Sequence, residues 1–181
     1  MNEAIIERWN SVVKPGDITY LLGDVMLGDN EAGIECLRQL NGQIFIIWGN
    51  HCTETRRNML FMDERTRHKM LGGWYAFVIK HGKQSIYLSH YPTLTANFDS
   101  GKHFSQNVIN LHGHCHSRTP WIDPRNPFMY DVGMDAHNCT PVHIDEVISD
   151  IRQRWEEIGR LPVPIQPRDT YPYGGLILDK A

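Results

Sequence analysis

"DITYLLGDVMLGDNEAGIECLRQLNGQIFIIWGNH", Asp17 to His51, is the stretch that decides the fold. Its first part, "DITYLLGD", reads as a short buried strand that stops at Gly23-Asp24. "NEAGIECLRQL" then sets Ile34, Leu37 and Leu40 along one side, a helical spacing. "QIFIIWGNH" is an apolar, β-branched run ending in Gly49-Asn50-His51. Strand, helix and strand in this order imply a parallel crossover unit. Both strands end in glycine followed by a residue that ligates metals.

Upstream, "MNEAIIERWNSVV" places Ile5, Ile6, Trp9, Val12 and Val13 on one helical face, and Pro15-Gly16 stops it. Downstream, Cys52 to Leu71 reads as mixed and helical in part, dense in Arg56, Arg57, Arg65 and Arg67. "WYAFVIK" and "QSIYLSH" flank His81-Gly82-Lys83 as strands of a hairpin. "NVINLHGH" is another strand, "TPWIDPRNPFMY" an irregular loop, and "MYDVGMD" a late strand. "HIDEVISDIRQRWEEIG" carries the stripe Ile144, Val147, Ile148, Ile151 and Trp155. Helices are thus expected over Met1–Val13, Asn30–Leu40 and Asp145–Ile158. The length suits one domain, 1–160, followed by a proline-rich arm, 161–181.

Composition narrows the function classes. A net charge of −3 gives no footprint for bulk binding to nucleic acid or a membrane surface. Cys36, Cys52, Cys115 and Cys139 form no CxxC, which argues against a thiolate zinc knuckle. "IFIIW" is too short to span a bilayer, and Asn2, Glu3, Glu7 and Arg8 break any signal-like apolar run. The expected location is cytoplasmic, with reduced thiols.

The chemistry lies where the strands stop. Asp24 follows "YLLG", Asn50 and His51 follow "IFIIWG", His90 follows "IYLS", and His114 and His116 follow "VINLHG". Ligands collect at strand carboxyl ends in sheets with parallel crossovers. A single Gly-Asp or Gly-Asn is a common turn. Four strand ends carrying Asp, Asn, His and His-x-His in one chain point to metal binding. Mixed oxygen and nitrogen donors suit manganese, iron, nickel or zinc rather than calcium.

The ordered set Gly23-Asp24, Gly49-Asn50-His51, His90 and Gly113-His114-Cys115-His116 resembles the calcineurin-like metallophosphoesterases, in particular the small bacterial and phage phosphoesterases. "ERWNSVVKPGD", "GDVMLG", "SHYP" and "GMDAHN" also look like that subgroup, and the likeness runs from Met1 to about Asp150. The resemblance implies an α/β fold, a four-layer, two-sheet β-sandwich flanked by helices. It implies two divalent ions, manganese first among them, and hydrolysis of phosphodiesters or phosphomonoesters, nucleotides included.

By position, Asp24 looks like the bridging carboxylate, Asn50, His90 and His114 like further ligands of the second ion, and His116 like a ligand of the first. His51 looks like the catalytic histidine that contacts phosphate and protonates the leaving oxygen. The family opens with a strand ending in Asp-x-His, and no such motif precedes Asp24. The expectation is therefore a fold with its first strand missing and one tightly held ion. The alternative function is a catalytically weakened, single-metal scaffold or binding module. Arg56 and Arg57 either clamp a substrate phosphate or form a solvated helix face. Asp135 and His137 either orient metal ligands or make local turn bonds. His112 has no role in the resemblance. The metallo-β-lactamase alternative lacks its HxHxDH motif.

Overall fold

The computed structural model describes residues 2–95 and 103–159. The expected arm over 161–181 lies outside them. Among the described residues there are four α-helices: α1 (Asn2–Val12), α2 (Asn30–Gln39), α3 (Glu54–Met62) and α4 (Ile144–Gly159). Seven strands accompany them: β1 (Ile18–Leu21), β2 (Gln43–Ile47), β3 (Met70–Trp74), β4 (Ala76–His81), β5 (Gln84–Ser89), β6 (Val108–His112) and β7 (Met129–Asp131). The expected helices agree to within a residue or so of these bounds.

The strands form two sheets. The first, in order β1-β2-β3, is parallel throughout. The crossover expected from Asp17–His51 is therefore present, and α3 makes a second one. The other sheet runs β4-β5-β6-β7, antiparallel at β4/β5 and parallel at β5/β6 and β6/β7. The expected hairpin closes at Gly82, whose φ of +57° suits a tight turn.

One expectation was wrong in detail. "WYAFVIK" is not one strand. Trp74 ends β3 in the first sheet, Tyr75 carries the chain across, and Ala76 starts β4 in the second. The run is uniformly strand-like in composition, so only the partners distinguish its halves. Trp74 accepts from the Trp48 amide while Ala76 pairs with Ser89. β3 itself, "MLGGW", was not anticipated, because glycine is a poor strand former. A Cβ on Gly73 would lie 2.1 Å from the Trp48 ring, and one on Gly72 3.1 Å from the Phe45 ring. The two glycines therefore make room for aromatic rings of β2 and its extension.

Alternation along β2 builds both cores. Ile44 and Ile46 face α1 and α2, joining Trp9, Val13, Ile34, Leu37 and Leu40. Phe45 and Ile47 face the second sheet, joining Ile86, Leu88, Ile109 and Leu111. Burying each such aliphatic side chain is worth about 1.5–3 kcal/mol. From α4, Val147 and Ile151 enter the same cluster, and Tyr130 on β7 donates to Asp150. Lys69 holds the end of α2 by donating to the carbonyls of Leu37, Arg38 and Leu40. Among the described residues, no helix is long and apolar enough to cross a membrane.

Candidate metal centre

Parallel pairing brings the carboxyl ends of β1 and β2 to one edge, and that of β5 beside β6. The two edges meet at His90. Its Nδ1 lies 2.8 Å from the carbonyl oxygen of Leu22, which follows β1. The Gly113 amide, following β6, donates to the His90 carbonyl at 3.1 Å. Asp24, Asn50, His90 and His114 thereby converge from four strand ends.

The protonation of His90 follows from chemistry. A carbonyl oxygen has no proton to give, so Nδ1–H must be the donor to Leu22. In the neutral ring, Nε2 then carries a lone pair. Around that atom stand Asn50 Oδ1 at 2.9 Å, His114 Nδ1 at 3.1 Å and Asp24 Oδ2 at 3.2 Å. Asp24 Oδ2 and Asn50 Oδ1 are acceptors, and their lone pairs meet that of Nε2 at a position only 2% exposed. Such an arrangement is costly unless a cation, a proton or a metal ion, lies among the lone pairs. Ligand bonds of about 2.0–2.2 Å put neighbouring ligands about 3 Å apart in an octahedral shell, which is the spacing found. Among the described residues, Asp24, His90 and His114 are the His, Asp, Glu or Cys groups that converge closely enough to hold one ion. The donor set fits a first-row divalent metal.

The backbone is bent to achieve this. Asp24 (φ 49°), His114 (φ 69°) and His116 (φ 49°) all lie in the left-handed region. That conformation costs an L-residue about 1–2 kcal/mol, least for Asp and Asn. Strain of this kind concentrates at functional sites. Two of the glycines noted in the sequence serve the same end, by clearing space for ligands. A Cβ on Gly23 (φ +100°) would sit 2.1 Å from His90 Nδ1, and one on Gly49 2.3 Å from Asp24 Oδ1. Gly113 meets only Leu22 O, at 3.2 Å.

His51 stands at the rim. Its backbone amide donates to Asp24 Oδ1 at 2.9 Å, fixing the carboxylate, and its side chain is exposed. Arg56 donates to the His51 carbonyl at 2.9 Å and to Asn30 Oδ1 at 3.0 Å, so it braces the loop. Arg57 lies over the rings of Trp48 and Tyr75 and donates to the Tyr75 hydroxyl at 2.7 Å. Asp29 caps α2 through Oδ1.

His116 is placed elsewhere. Its Nδ1 donates to Asp135 Oδ2 at 2.7 Å, and it is not part of the cluster around His90. Asp135 is thus the partner of an expected ligand. His137 instead makes a local bond, its Nε2 donating to the Asp131 carbonyl at 2.8 Å. His112 is fully buried beside its register partner Asp131. Its Nδ1 donates to Gly113 O, while His112 Nε2 and Asp131 Oδ2 have no partner among the described residues. Burial holds the imidazole pKa down and the carboxyl pKa up.

Two supporting residues escaped the sequence reading. Asn110, buried in β6, accepts from the Thr93 amide and donates to Tyr87 O and Ser89 Oγ, which anchors the segment bearing His90. The signal was an amide in the middle of the apolar run "VINLH". Tyr91 packs edge-on against both His90 and His114, with centroids 5.0 and 4.7 Å away.

No family model matches this sequence. The uncharacterized protein MJ1445 of Methanocaldococcus jannaschii is 32% identical over 159 residues, covering 84% of this chain and 76% of that protein. The chain belongs to the family of MJ1445. Two phage proteins are also similar to this member of the MJ1445 family. The Gene 66 protein of Mycobacterium phage D29 is 27% identical, covering 82% of this chain and 83% of its own length, and that of phage L5 is 26% identical, covering 86% and 83%. Among solved structures, the protein of unknown function AQ665 from Aquifex aeolicus matches with a TM-score of 0.59 at 19% identity, covering 82% of this chain and 83% of that one. That likeness supports the mixed α/β, two-sheet fold.

Proposed function

We propose that this chain is a metal-dependent phosphoesterase of the calcineurin-like type, acting on phosphodiesters or phosphomonoesters. The observation that carries the reading is the crowding of Asp24, Asn50 and His114 donors about the lone pair of His90 Nε2. The sandwich is read as the four-layer fold of those enzymes.

Asp24, Asn50, His90 and His114 would hold the ion, with manganese favoured and iron, nickel or zinc compatible with the same donors. A divalent ion at such a site supplies Lewis acidity toward phosphoryl oxygens and makes water a better nucleophile. The chain's own contribution is positional. The His51 amide and Gly49 fix the Asp24 carboxylate, and Arg56 fixes the turn that carries His51. When water adds to phosphorus and the ester P–O bond breaks, the His51 side chain at the rim would hand a proton to the departing oxygen, and the proton shed by the attacking water would pass to solvent.

A single-ion binding module is the second reading. It is favoured by the position of His116, which sits with Asp135 outside the cluster. Metal analysis after dialysis, paired with turnover of an aryl phosphodiester and an aryl phosphomonoester, tests both. The expected result is one tightly held ion per chain and slow, metal-dependent turnover, with His51→Ala lowering kcat while the ion stays. Ion retention with no turnover on either ester selects the binding module. Failure to retain any divalent ion refutes both readings.

A further inference from the structure

Among the described residues, four strands have one side unpaired: β1 and β3 in the first sheet, β4 and β7 in the second. β4 is the longest of them, with 6 residues against 4, 5 and 3 for β1, β3 and β7. Its ladder with β5 runs from Ala76↔Ser89 to His81↔Gln84 without a shift of register. The side away from β5 therefore presents an unbroken row of backbone donors and acceptors, a template for another strand. Proteins blunt such edges with proline, a bulge or inward charge. β4, "AFVIKH", has no proline and no bulge, and Lys80 stands near its end.

The flank around this edge is apolar. Leu71, Trp74, Tyr75, Phe77 and Val78 follow one another closely in the chain, and all are exposed. Trp74 is 59% exposed, Tyr75 69% and Val78 56%. Val78 pairs with Tyr87 on one face of the sheet, while Phe77 on the other packs against Phe45, with ring centroids 4.9 Å apart. The patch continues through Arg57, which donates to the Tyr75 hydroxyl and shares a groove with Met62, itself 77% exposed. With about 150–250 Å² for a whole aromatic side chain and less for an aliphatic one, these six apolar residues leave on the order of 600–700 Å² open. That exceeds the ~300–600 Å² of the largest patch on an ordinary monomer.

We infer that β4 pairs antiparallel with β4 of a second copy of this chain, merging two four-stranded sheets into one continuous sheet. The inference is independent of the chemistry at His90. Area favours this occupant, because two such patches together bury about 1,200–1,400 Å², inside the ~1,200–2,000 Å² of stable interfaces. Symmetry favours it as well. A two-fold axis through Val78, perpendicular to the sheet, keeps the inner faces of both copies on one side. It sets Val78 against its own equivalent, Phe77 against Ile79, Lys80 against Ala76 and His81 against Tyr75. Apolar side chains then meet apolar ones, and neither basic side chain meets its own kind. The contact is isologous, so it closes at two copies and removes an edge that would otherwise invite open-ended association.

Sedimentation velocity of the full chain across micromolar concentrations tests the inference. A closed monomer–dimer equilibrium is expected, with a dissociation constant on the order of micromolar for an interface of this size. Hydrogen exchange on the same samples should show the β4 amides slowing as the dimer forms. Val78→Lys brings two ammonium groups face to face and should weaken the dimer about a hundredfold, tenfold from each copy. Val78→Thr keeps the β-branch and should retain most of the dimer. Ile18→Lys, at an exposed position on the free side of β1, should leave it unchanged. Far-ultraviolet circular dichroism should be the same for all three variants; were Val78→Lys to misfold, exchange at β4 of the wild type decides. A monomer at every concentration would overturn the inference, as would a dimer whose β4 amides exchange as fast as the monomer's. So would a dimer that survives Val78→Lys or is dissociated by Ile18→Lys, or a ladder of larger species in place of a dimer.

Discussion

Asp24→Asn should stabilise the metal-free chain while abolishing its response to metal. Asparagine matches aspartate in volume and tolerates the left-handed backbone found at this position (φ 49°). Oδ1 can go on accepting the His51 amide, but without charge assistance, a loss of about 1 kcal/mol. On the other branch, an amide N–H replaces the oxygen that faces His90 Nε2 at 3.2 Å. An acceptor–acceptor contact becomes a hydrogen bond worth about 1 kcal/mol, and removing the unmet buried acceptor recovers about 1 kcal/mol more. The net gain is about 1 kcal/mol, which for a chain of this size raises Tm by about 2–4 °C. Manganese at a hundred times its Kd should stabilise the wild type by about 2.7 kcal/mol, or about 5–11 °C. Asp24→Asn should lose most of that shift. Thermal melts with chelator and with manganese give both numbers. If Asp24 were simply a structural acceptor, the variant would melt below the wild type without metal, and that outcome refutes the reasoning. So does a variant that keeps the full manganese shift.

Gly23→Ala should destabilise the chain by about 2–5 kcal/mol, since positive φ costs about 1–2 and overpacking against His90 about 1–3; denaturant melts measure this, and a change below 1 kcal/mol would contradict the close approach. Gly73→Ala should cost about 1–3 kcal/mol by pushing on the Trp48 ring, and near-ultraviolet circular dichroism should change with it. The Arg65 guanidinium beside Asp63 lowers the carboxyl pKa from 3.8 to about 2. A carboxylate depressed on folding contributes stability above its unfolded pKa, here pH 3.8, and loses it as pH falls toward about 2. Melts of wild type and Asp63→Asn should therefore converge over that window and differ above it; parallel curves would show that the ion pair contributes nothing.

Local pattern made much of this protein legible. The helical stripes of α1, α2 and α4 are spaced by the helix repeat itself, so Trp9, Ile34 and Ile151 could be placed in the core before any contact was known. The strand ends bearing Asp24, Asn50 and His114 were visible for a similar reason: glycine followed by a polar ligand after an apolar run is a short-range signal, and His90 ends the apolar run "IYLS" without one. What tertiary structure decided were questions of partnership. "MLGGW" is a strand because Phe45 and Trp48 lie over its glycines, and "WYAFVIK" divides because its two halves bond to different sheets. Arg57 turns to Trp48 and Tyr75, and His116 turns to Asp135, choices set by residues distant in the chain. Periodicity states which side of an element is apolar and where a strand stops. It carries no term for the atom on the other side of the gap, and at His90 Nε2 that atom is what makes the site.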